Sequence, residues 1–361
     1  MTQPSNGTSR IYVASFNGGK SEGIWRCLLN SQSGTLQLEK GFREGAQNPL
    51  YVATDPQQRF LFVADYVETG DGKTGAISSY AMDRATGCLK FLSRKPSEGT
   101  IPCYLSVSAN SQFVLVANYG DGSVAVLRLG SQGELGEVVS VQHHVAPAAT
   151  PARQAHAHSI VLDAANRFAF VGELGLDQVI IYRFDAATGK LTPSGSWSAR
   201  NQAGPRHFRF HPDGRHAYLI NELDSTVVAF DYDASKGTLT ELQTLSTLPK
   251  GYQGKNDCAD LHVHGNGRFL YGSNRGHDSL AIFRIEAGTG RMEIVGHQST
   301  EGNCPRSFAI DPSGAILAVG NEKSDSLVTF RIDQQQGTLT ATKQTLGVPA
   351  PACITFVTGT A

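Results

Sequence analysis

Residues 204–226, GPRHFRFHPDGRHAYLINELDST, predict a β-hairpin that sets the pattern for the rest of the chain. An alternating strand runs into a tight turn at residues 212–214, and a second apolar strand returns from it. Arg206 opens the first strand and Glu222 closes the second, sixteen residues later. Because the start of one antiparallel strand lies beside the end of the next, folding should bring Arg206 and Glu222 together. The pair is then either a surface ion pair or part of a site.

The same hairpin recurs along the chain at intervals of 46–55 residues. We number each repeat from a position zero, which is Pro205 in this hairpin. Apolar residues occupy positions three and five, which indicates a strand with one buried face. A turn and a second apolar strand come next, and this strand ends at a polar residue at position sixteen. Position zero is occupied by Pro49, Pro102, Ala157, Pro205, Cys258, Pro305 and Pro351. Position sixteen is occupied by Asp65, Asn118, Glu173, Asn221, Asn274 and Asn321.

Each repeat continues with a third and a fourth strand, so the sequence predicts an all-β, seven-bladed β-propeller with four antiparallel strands per blade. Six repeats are complete, whereas residues 352–357 supply only an innermost strand. Strands at residues 11–16, 23–29 and 34–40 supply what is missing. We therefore expect the last blade to be closed by both chain ends, which removes the free sheet edge. The prediction is a single domain over residues 1–361, with 1–10 as a flexible N-terminus.

Composition excludes several classes of function. The 361 residues include 17% charged residues and carry a net charge of −1, so no nucleic-acid or membrane surface is expected. No stretch is apolar for long enough to span a bilayer, and the first ten residues lack the apolar core of a signal peptide. Six cysteines occur without CxxC spacing, which favours reduced thiols in a cytoplasmic protein. The sequence leaves open whether the protein is a monomer or a dimer.

The innermost strands of a propeller line its central channel, so equivalent positions of the repeats should ring one channel mouth. Position one contributes Leu50, Cys103, His158, Arg206, Ala259, Arg306 and Ala352. Position seventeen contributes Tyr66, Tyr119, Leu174, Glu222, Arg275 and Glu322. The charged members fall on four consecutive blades. They indicate a one-sided site in a concave mouth, rather than only a solvated rim of mutually paired charges.

The residue types limit the ligand of this site. Arginine donates a fork of hydrogen bonds that suits carboxylate or phosphate, and three guanidinium groups oppose a calcium ion. A zinc site could be assembled from His156-x-His158 and His262-x-His264, but no cysteine or glutamate accompanies them at ligand spacing. His262 also has the opposite strand parity to the apolar pair, which favours packing between blades. We therefore expect no metal and no cofactor.

Four stretches carry a resemblance to a known family: residues 156–179, 204–226, 259–283 and 305–330, which include the motifs GPRH, NEL and NRGHDS. They resemble the seven-bladed propeller lactonases over essentially the whole chain. This family includes the 6-phosphogluconolactonases of the oxidative pentose phosphate pathway, and the fungal carboxymuconate cyclase shares the fold. The resemblance implies a metal-free site whose catalytic residues are His158, Arg206, Glu222 and Arg275. Further substrate contacts are expected at Arg306, His156, Asp260 and Glu322.

The first hypothesis is hydrolysis of a sugar lactone, with 6-phosphogluconolactone as the favoured substrate, by direct attack of water. Glu222 is preferred as the general base, assisted or replaced by His158. Arg206 would stabilise the developing oxyanion, while Arg275 and Arg306 would hold a phosphate or another anion. The small-molecule partner is therefore a lactone or a phosphorylated sugar acid.

Two alternatives remain open at this stage. A cycloisomerase that closes a lactone from an unsaturated polycarboxylate would use the same arginines and the same histidine–glutamate pair. A non-catalytic propeller would instead present a large apolar patch for a protein partner. Cys103 stands at the mouth, but its neighbours Leu50 and Tyr119 would not lower its pKa, so a thiolate nucleophile is not expected.

Overall fold

The structure is a computed structural model that describes residues 7–16, 22–69, 72–146 and 153–358. Its 28 strands form seven sheets, and each sheet contains four antiparallel strands. Within the described residues, the helical content is one 3-10 turn, Glu322–Ser324. The predicted propeller with four strands per blade is confirmed.

The blades follow one another along the chain, and each runs from its inner to its outer strand. Blade 1 contains β28 (Pro351–Thr358), β1 (Thr8–Ser15), β2 (Ile24–Asn30) and β3 (Leu36–Phe42). Blade 2 contains β4 (Pro49–Thr54), β5 (Phe60–Thr69), β6 (Gly72–Met82) and β7 (Leu89–Pro96). Blade 3 contains β8 (Pro102–Val107), β9 (Phe113–Asn118), β10 (Ser123–Leu129) and β11 (Leu135–His143). Blade 4 contains β12 (Ala157–Leu162), β13 (Phe168–Glu173), β14 (Gln178–Phe184) and β15 (Leu191–Ser198).

The remaining three blades have the same order. Blade 5 contains β16 (Pro205–Phe210), β17 (His216–Asn221), β18 (Thr226–Asp233) and β19 (Thr238–Ser246). Blade 6 contains β20 (Asp257–Val263), β21 (Phe269–Arg275), β22 (Ser279–Ile285) and β23 (Met292–Ser299). Blade 7 contains β24 (Pro305–Ile310), β25 (Ile316–Asn321), β26 (Ser326–Ile332) and β27 (Leu339–Gly347).

Both chain ends build blade 1, as predicted. β1 pairs with β28 on one side and β2 on the other, and β28 contacts the inner strands of blades 2 and 7. The ring of inner strands is therefore closed. β1 begins at Thr8, so residues 8–10 belong to the sheet instead of a flexible N-terminus, because the ladder to β28 extends to Ser9. Residues 1–6 of that predicted flexible segment lie outside the described residues.

A β-bulge at the start of each inner strand of blades 2–7 determines where the mouth residues point. Position zero faces position sixteen, as in the pair Pro205↔Asn221, but the next pair is His207↔Ile220. Arg206 is therefore an extra residue in the ladder, and the register shifts at the same place in the other five blades. Bulges re-aim a side chain, and here they turn position one toward the channel mouth.

The polar residue at position sixteen connects one blade to the next. The amides of Asn118, Asn274 and Asn321 each donate to a backbone carbonyl of the segment that enters the blade, over 2.9–3.0 Å. All three asparagines are fully buried. Because a buried carbonyl without a partner costs free energy, this bond explains why an amide recurs at the position.

The apolar pair of each inner strand fills the contact between neighbouring blades. Phe208 of blade 5 stacks on Phe170 of blade 4, with ring centroids 5.2 Å apart. Both rings are fully buried.

The part of the chain that the structure describes contains no helix with the length and apolar character of a membrane span. The six cysteines are unpaired, in agreement with the prediction of free thiols.

Removal of residues 350–361 should abolish the fold, because it deletes β28 and exposes the inner edge of β1. Ile354 and Phe356, which are almost completely buried, would be lost with it. Each such side chain contributes about 1.5–3 kcal/mol, against a total stability of about 5–15 kcal/mol. We expect insoluble protein or loss of the cooperative melting transition by circular dichroism. Deletion of residues 1–6, which precede β1, is the control; a truncated protein that melts together with this control would contradict the shared blade.

Candidate active site

A cavity of about 280 Å³ opens at the channel mouth where the inner strands begin. It is close to the lower end of the range for small-molecule sites, about 300–1,000 Å³. The structure brings together ten of the thirteen predicted mouth residues: Leu50, Tyr66, Cys103, Tyr119, His158, Arg206, Glu222, Arg275, Arg306 and Glu322. Three further lining residues were not predicted: Phe16, Lys73 and Ile101. Leu174, Ala259 and Ala352 do not line the cavity.

Glu222 lies between two arginines at the polar wall of this cavity. Its Oε2 atom accepts a hydrogen bond from Nε of Arg206 at 2.6 Å, and its Oε1 atom accepts one from Nη2 of Arg275 at 3.0 Å. Arg206 is 2% exposed and also donates to the carbonyl of Ala259 in the next blade. Arg275 donates to the carbonyl of Cys258 at 2.9 Å. Both guanidinium groups are therefore fixed by backbone as well as by the shared carboxylate.

The two arginines determine the charge state of Glu222. Burial alone would raise the pKa of this carboxyl, but Arg206 and Arg275 outweigh burial and hold its pKa below the ordinary value. Glu222 is thus a carboxylate at neutral pH. Protonation would weaken two charge-assisted hydrogen bonds at once.

His158 faces the same carboxylate without a hydrogen bond to it. Its Nε2 atom lies 3.9 Å from Oε2 of Glu222, and the ring meets Tyr119 edge-on with centroids 5.5 Å apart. Burial, followed by the positive charge of Arg206, lowers the pKa of His158 well below its ordinary value. The imidazole is therefore neutral at pH 7 and can accept a proton.

Arg306 and Glu322 form a second, more open ion pair at the cavity rim. Nη1 of Arg306 donates to Oε2 of Glu322 over 3.3 Å, and a quarter of the Arg306 side chain is exposed. Because this pair is longer than the pairs around Glu222, Arg306 is the arginine with more capacity to bind an external anion.

The thiol of Cys103 is buried beside His158 and donates to the backbone carbonyl of His158 over 3.4 Å. Burial raises its pKa to about 12. The thiolate needed for covalent catalysis is therefore absent at neutral pH, which supports the predicted attack by water.

Two predicted substrate contacts, Asp260 and His156, do not line the cavity. The carboxylate of Asp260 is buried in the channel, where it accepts from Nδ1 of His207 at 2.8 Å and from Ser307 at 3.1 Å. His207 then presents Nε2 to Nη1 of Arg206 at 3.3 Å, so Asp260 helps to position Arg206 through His207. His156 stacks on Tyr119 and hydrogen-bonds its carbonyl, so it supports the wall from behind.

A larger cavity of about 870 Å³ opens at the opposite end of the channel. Its charged groups already have partners: Arg209 donates to Tyr104 and to the carbonyl of Leu261, and Asp311 caps the turn that follows β24. His262 lines this cavity and also packs edge-on against Phe308 of the next blade, as its strand parity predicted. Size alone would favour this cavity, but the mouth cavity contains the concentrated charge and the neutral imidazole of His158.

One group of three possible metal ligands, His211, Asp213 and His216, occurs in the part of the chain that the structure describes. It lies in the turn between β16 and β17, at the end of the blade opposite to the mouth. Hydrogen bonds account for its geometry, since Asp213 accepts from Nδ1 of His216 at 2.7 Å and Nε2 of His211 donates to the carbonyl of Gly267 at 2.7 Å. None of the four histidines of the His156-x-His158 and His262-x-His264 motifs belongs to this group.

A signal for Lys73 was present in the sequence. Asp65 pairs with Ala76 eleven residues later, whereas the equivalent pair in blades 3–7 is separated by five residues. Six additional residues therefore extend the β5–β6 hairpin beyond the common register, at the end of the blade that forms the mouth. Phe16 and Ile101 come from connections that the repeat does not constrain.

Comparison with known proteins agrees with this geometry. The sequence profile of the family described as Lactonase, 7-bladed beta-propeller matches residues 10–356. A protein of Bacillus subtilis named 6-phosphogluconolactonase is 35% identical and covers 96% of this chain and 97% of its own length. A protein of Formosa agariphila with the same name is 30% identical and covers 96% and 99%.

A solved structure described as the periplasmic gluconolactonase PpgL of Pseudomonas aeruginosa is 33% identical. It superimposes with a TM-score of 0.89 and covers 98% of this chain and all of its own. The profile match over nearly the whole chain, together with relatives above 30% identity, shows that the chain belongs to the seven-bladed β-propeller lactonase family.

Proposed function

We propose that the protein hydrolyses a sugar lactone in the mouth cavity, with 6-phosphogluconolactone as the preferred substrate. The observation that carries this proposal is the carboxylate of Glu222, which is held between Arg206 and Arg275 beside a neutral histidine. The names of the family and of its relatives support lactone hydrolysis as the reaction.

The arginines supply the electrophilic part of the site. Arg206 donates to the protein through Nε and Nη1, and Arg275 donates through Nε and Nη2. One nitrogen of each guanidinium group has no partner within the described residues: Nη2 of Arg206 and Nη1 of Arg275. These N–H groups can donate to the lactone carbonyl oxygen as negative charge develops on it. Preorganised donors of this kind lower the barrier by about 3–4 kcal/mol each in well-placed sites.

The ion pairs favour His158 over Glu222 as the base. Both oxygens of Glu222 already accept from guanidinium groups, while the lone pair of the neutral His158 is free of such a bond. His158 would take a proton from water as the water oxygen bonds to the carbonyl carbon. It would return the proton to the ring oxygen as the C–O bond breaks, which gives the open hydroxy acid. Glu222, 3.9 Å away, would stabilise the imidazolium that forms in between.

The two alternatives are less well supported. A cycloisomerase would use the same arginines, but the relatives described above are named for lactone hydrolysis. A binding platform leaves the buried ion pairs and the neutral base without a role. A cytoplasmic location remains a prediction that rests on the free thiols, and the Pseudomonas relative is described as periplasmic.

The pH dependence tests the charge states. The pKa of both His158 and Glu222 is shifted below its ordinary value, and both groups act in their unprotonated forms. We expect kcat/KM to be flat near pH 7 and to fall only well below pH 6.5, the ordinary value for histidine. An unphosphorylated lactone should be used, because a phosphate monoester itself titrates near pH 6. An acid limb centred near pH 6.5 would contradict the perturbed histidine.

Substitution separates the two candidate bases. His158→Asn removes the proton acceptor, so kcat should fall by about 10²–10⁴-fold with little change in KM. Glu222→Gln loosens both arginines and should affect KM as well as kcat, because the groups that orient the substrate are released. If Glu222→Gln reduces kcat alone and His158→Asn remains near wild type, the carboxylate is the base and the assignment is reversed. Spontaneous hydrolysis of the lactone must be subtracted throughout.

Chelation tests the absence of a metal requirement. The three arginines that line the site disfavour a bound cation, so lactonase activity should survive exhaustive treatment with EDTA. Loss of activity that added calcium or zinc restores would overturn the assignment of the arginines.

A further inference from the structure

The β5–β6 hairpin of blade 2 is longer than its counterparts in blades 3–7. Four additional residue pairs, from Tyr66↔Gly75 to Thr69↔Gly72, continue the ladder past the position where the equivalent hairpins turn. The hairpin is therefore extended at the end of the blade that forms the channel mouth. Lys73 lies in this extension and lines the active-site cavity.

The ammonium group of Lys73 is held over the aromatic side of the cavity but remains available to a ligand. It lies 4.9 Å from the centre of the Tyr66 ring. Its carboxylate partner, Glu68, is 3.8 Å away and 69% exposed, so this ion pair is weak and readily replaced. Arg206 and Arg275, by contrast, each donate to Glu222 and to backbone carbonyls, which leaves one terminal nitrogen of each for the lactone carbonyl.

Arg306, from blade 7, lines the same cavity as Tyr66 and Lys73. Burial raises the pKa of the Tyr66 phenol, and the positive charges of Lys73 and Arg306 both oppose this rise. The two cations therefore face one cavity, although they come from blades that are separated by blade 1. Phe16, which follows β1, completes an apolar floor with Tyr66, with ring centroids 6.0 Å apart.

The charge of the cavity suits a doubly negative ligand. Its lining contains four cationic side chains and two carboxylates, while His158 is neutral, so the described lining has a net charge of +2. A phosphate monoester carries about −1.5 to −2 at pH 7. A neutral lactone would leave this charge uncompensated.

The arrangement also matches the shape of a phosphorylated lactone. The arginines and the base that face the reacting carbonyl belong to blades 4–6, whereas Lys73 belongs to blade 2, across the mouth from blade 5. A phosphoryl group separated from the carbonyl by several bonds can thus reach Lys73 and Arg306 while the lactone carbonyl contacts Arg206.

We propose that Lys73, on the extended β5–β6 hairpin, binds the phosphoryl group of the substrate together with Arg306 and makes the enzyme selective for phosphorylated over unphosphorylated lactones. This inference rests on the proposed function and identifies the substrate class of that site. Lys73 is a substrate-binding residue here and takes no part in proton transfer.

The test compares 6-phosphogluconolactone with gluconolactone in the wild type, in Lys73→Met and in a matched control. Lys236→Met is the control, because Lys236 is an exposed lysine paired with Asp233 at 3.0 Å in the β18–β19 turn, on the opposite face. Lys73 is partly exposed, which places its charge-assisted hydrogen bond at the weak end of the range for such bonds. We expect Lys73→Met to reduce the kcat/KM ratio of phosphorylated to unphosphorylated lactone about tenfold. Lys236→Met should leave the ratio unchanged.

A ratio that Lys73→Met does not change, or that Lys236→Met changes equally, would overturn the proposal. If the wild type hydrolyses neither lactone, the proposed function fails. The role of Lys73 in binding a phosphoryl group is then tested by measuring ligand affinity. Isothermal titration of 6-phosphogluconate and of gluconate provides that readout. The proposal stands if Lys73→Met weakens binding of the phosphorylated acid alone by about tenfold, and it fails if both acids or neither are affected.

Discussion

The carboxylate of Glu222, shared between Arg206 and Arg275, is the interaction on which the site depends. It neutralises part of a strongly positive cavity, fixes two guanidinium groups that come from different blades and lies within reach of the neutral His158. Without it the arginines would repel each other at close range, because burial reduces the screening by water. The same constraint makes Glu222 a poor proton acceptor, so we propose the histidine beside it as the base.

The propeller makes this arrangement possible through a backbone irregularity that every complete blade repeats. The bulge at the start of the inner strand adds one residue to the ladder and turns that residue toward the mouth. Blades 4, 5 and 7 place His158, Arg206 and Arg306 there, whereas blades 2 and 3 place Leu50 and Cys103. One repeated backbone thus produces a cavity with a charged wall and an apolar wall, and the difference is determined by single side chains.

Repetition explains how much could be predicted from the sequence. The pairing of Pro205 with Asn221, and the position of Arg206 beside Glu222, follow from counting residues in a repeated hairpin. The alternation of apolar and polar residues did not predict the bulge. The recurrence of the repeat nevertheless placed position one, the bulged residue, at the mouth. Asp260 was expected to contact substrate, but it lies outside the cavity lining and accepts a hydrogen bond from His207. Contacts inside the channel depend on neighbouring blades and not on the repeat. The role of Glu222 depended on distances to Arg206 and Arg275, and these distances follow only from the folded ring. Lys73 was missed because its hairpin departs from the repeat.

We propose that the reacting carbonyl binds at Arg206 and Arg275 and the phosphoryl group across the mouth. A crystal structure of the protein with 6-phosphogluconate, the open-chain product, tests this placement most directly. The predicted result is a carboxylate that contacts the guanidinium groups of Arg206 or Arg275 near His158, with its phosphate at Lys73 and Arg306. Binding of the product in the larger cavity at the other end of the channel, or with the phosphate at Arg206, would contradict the account.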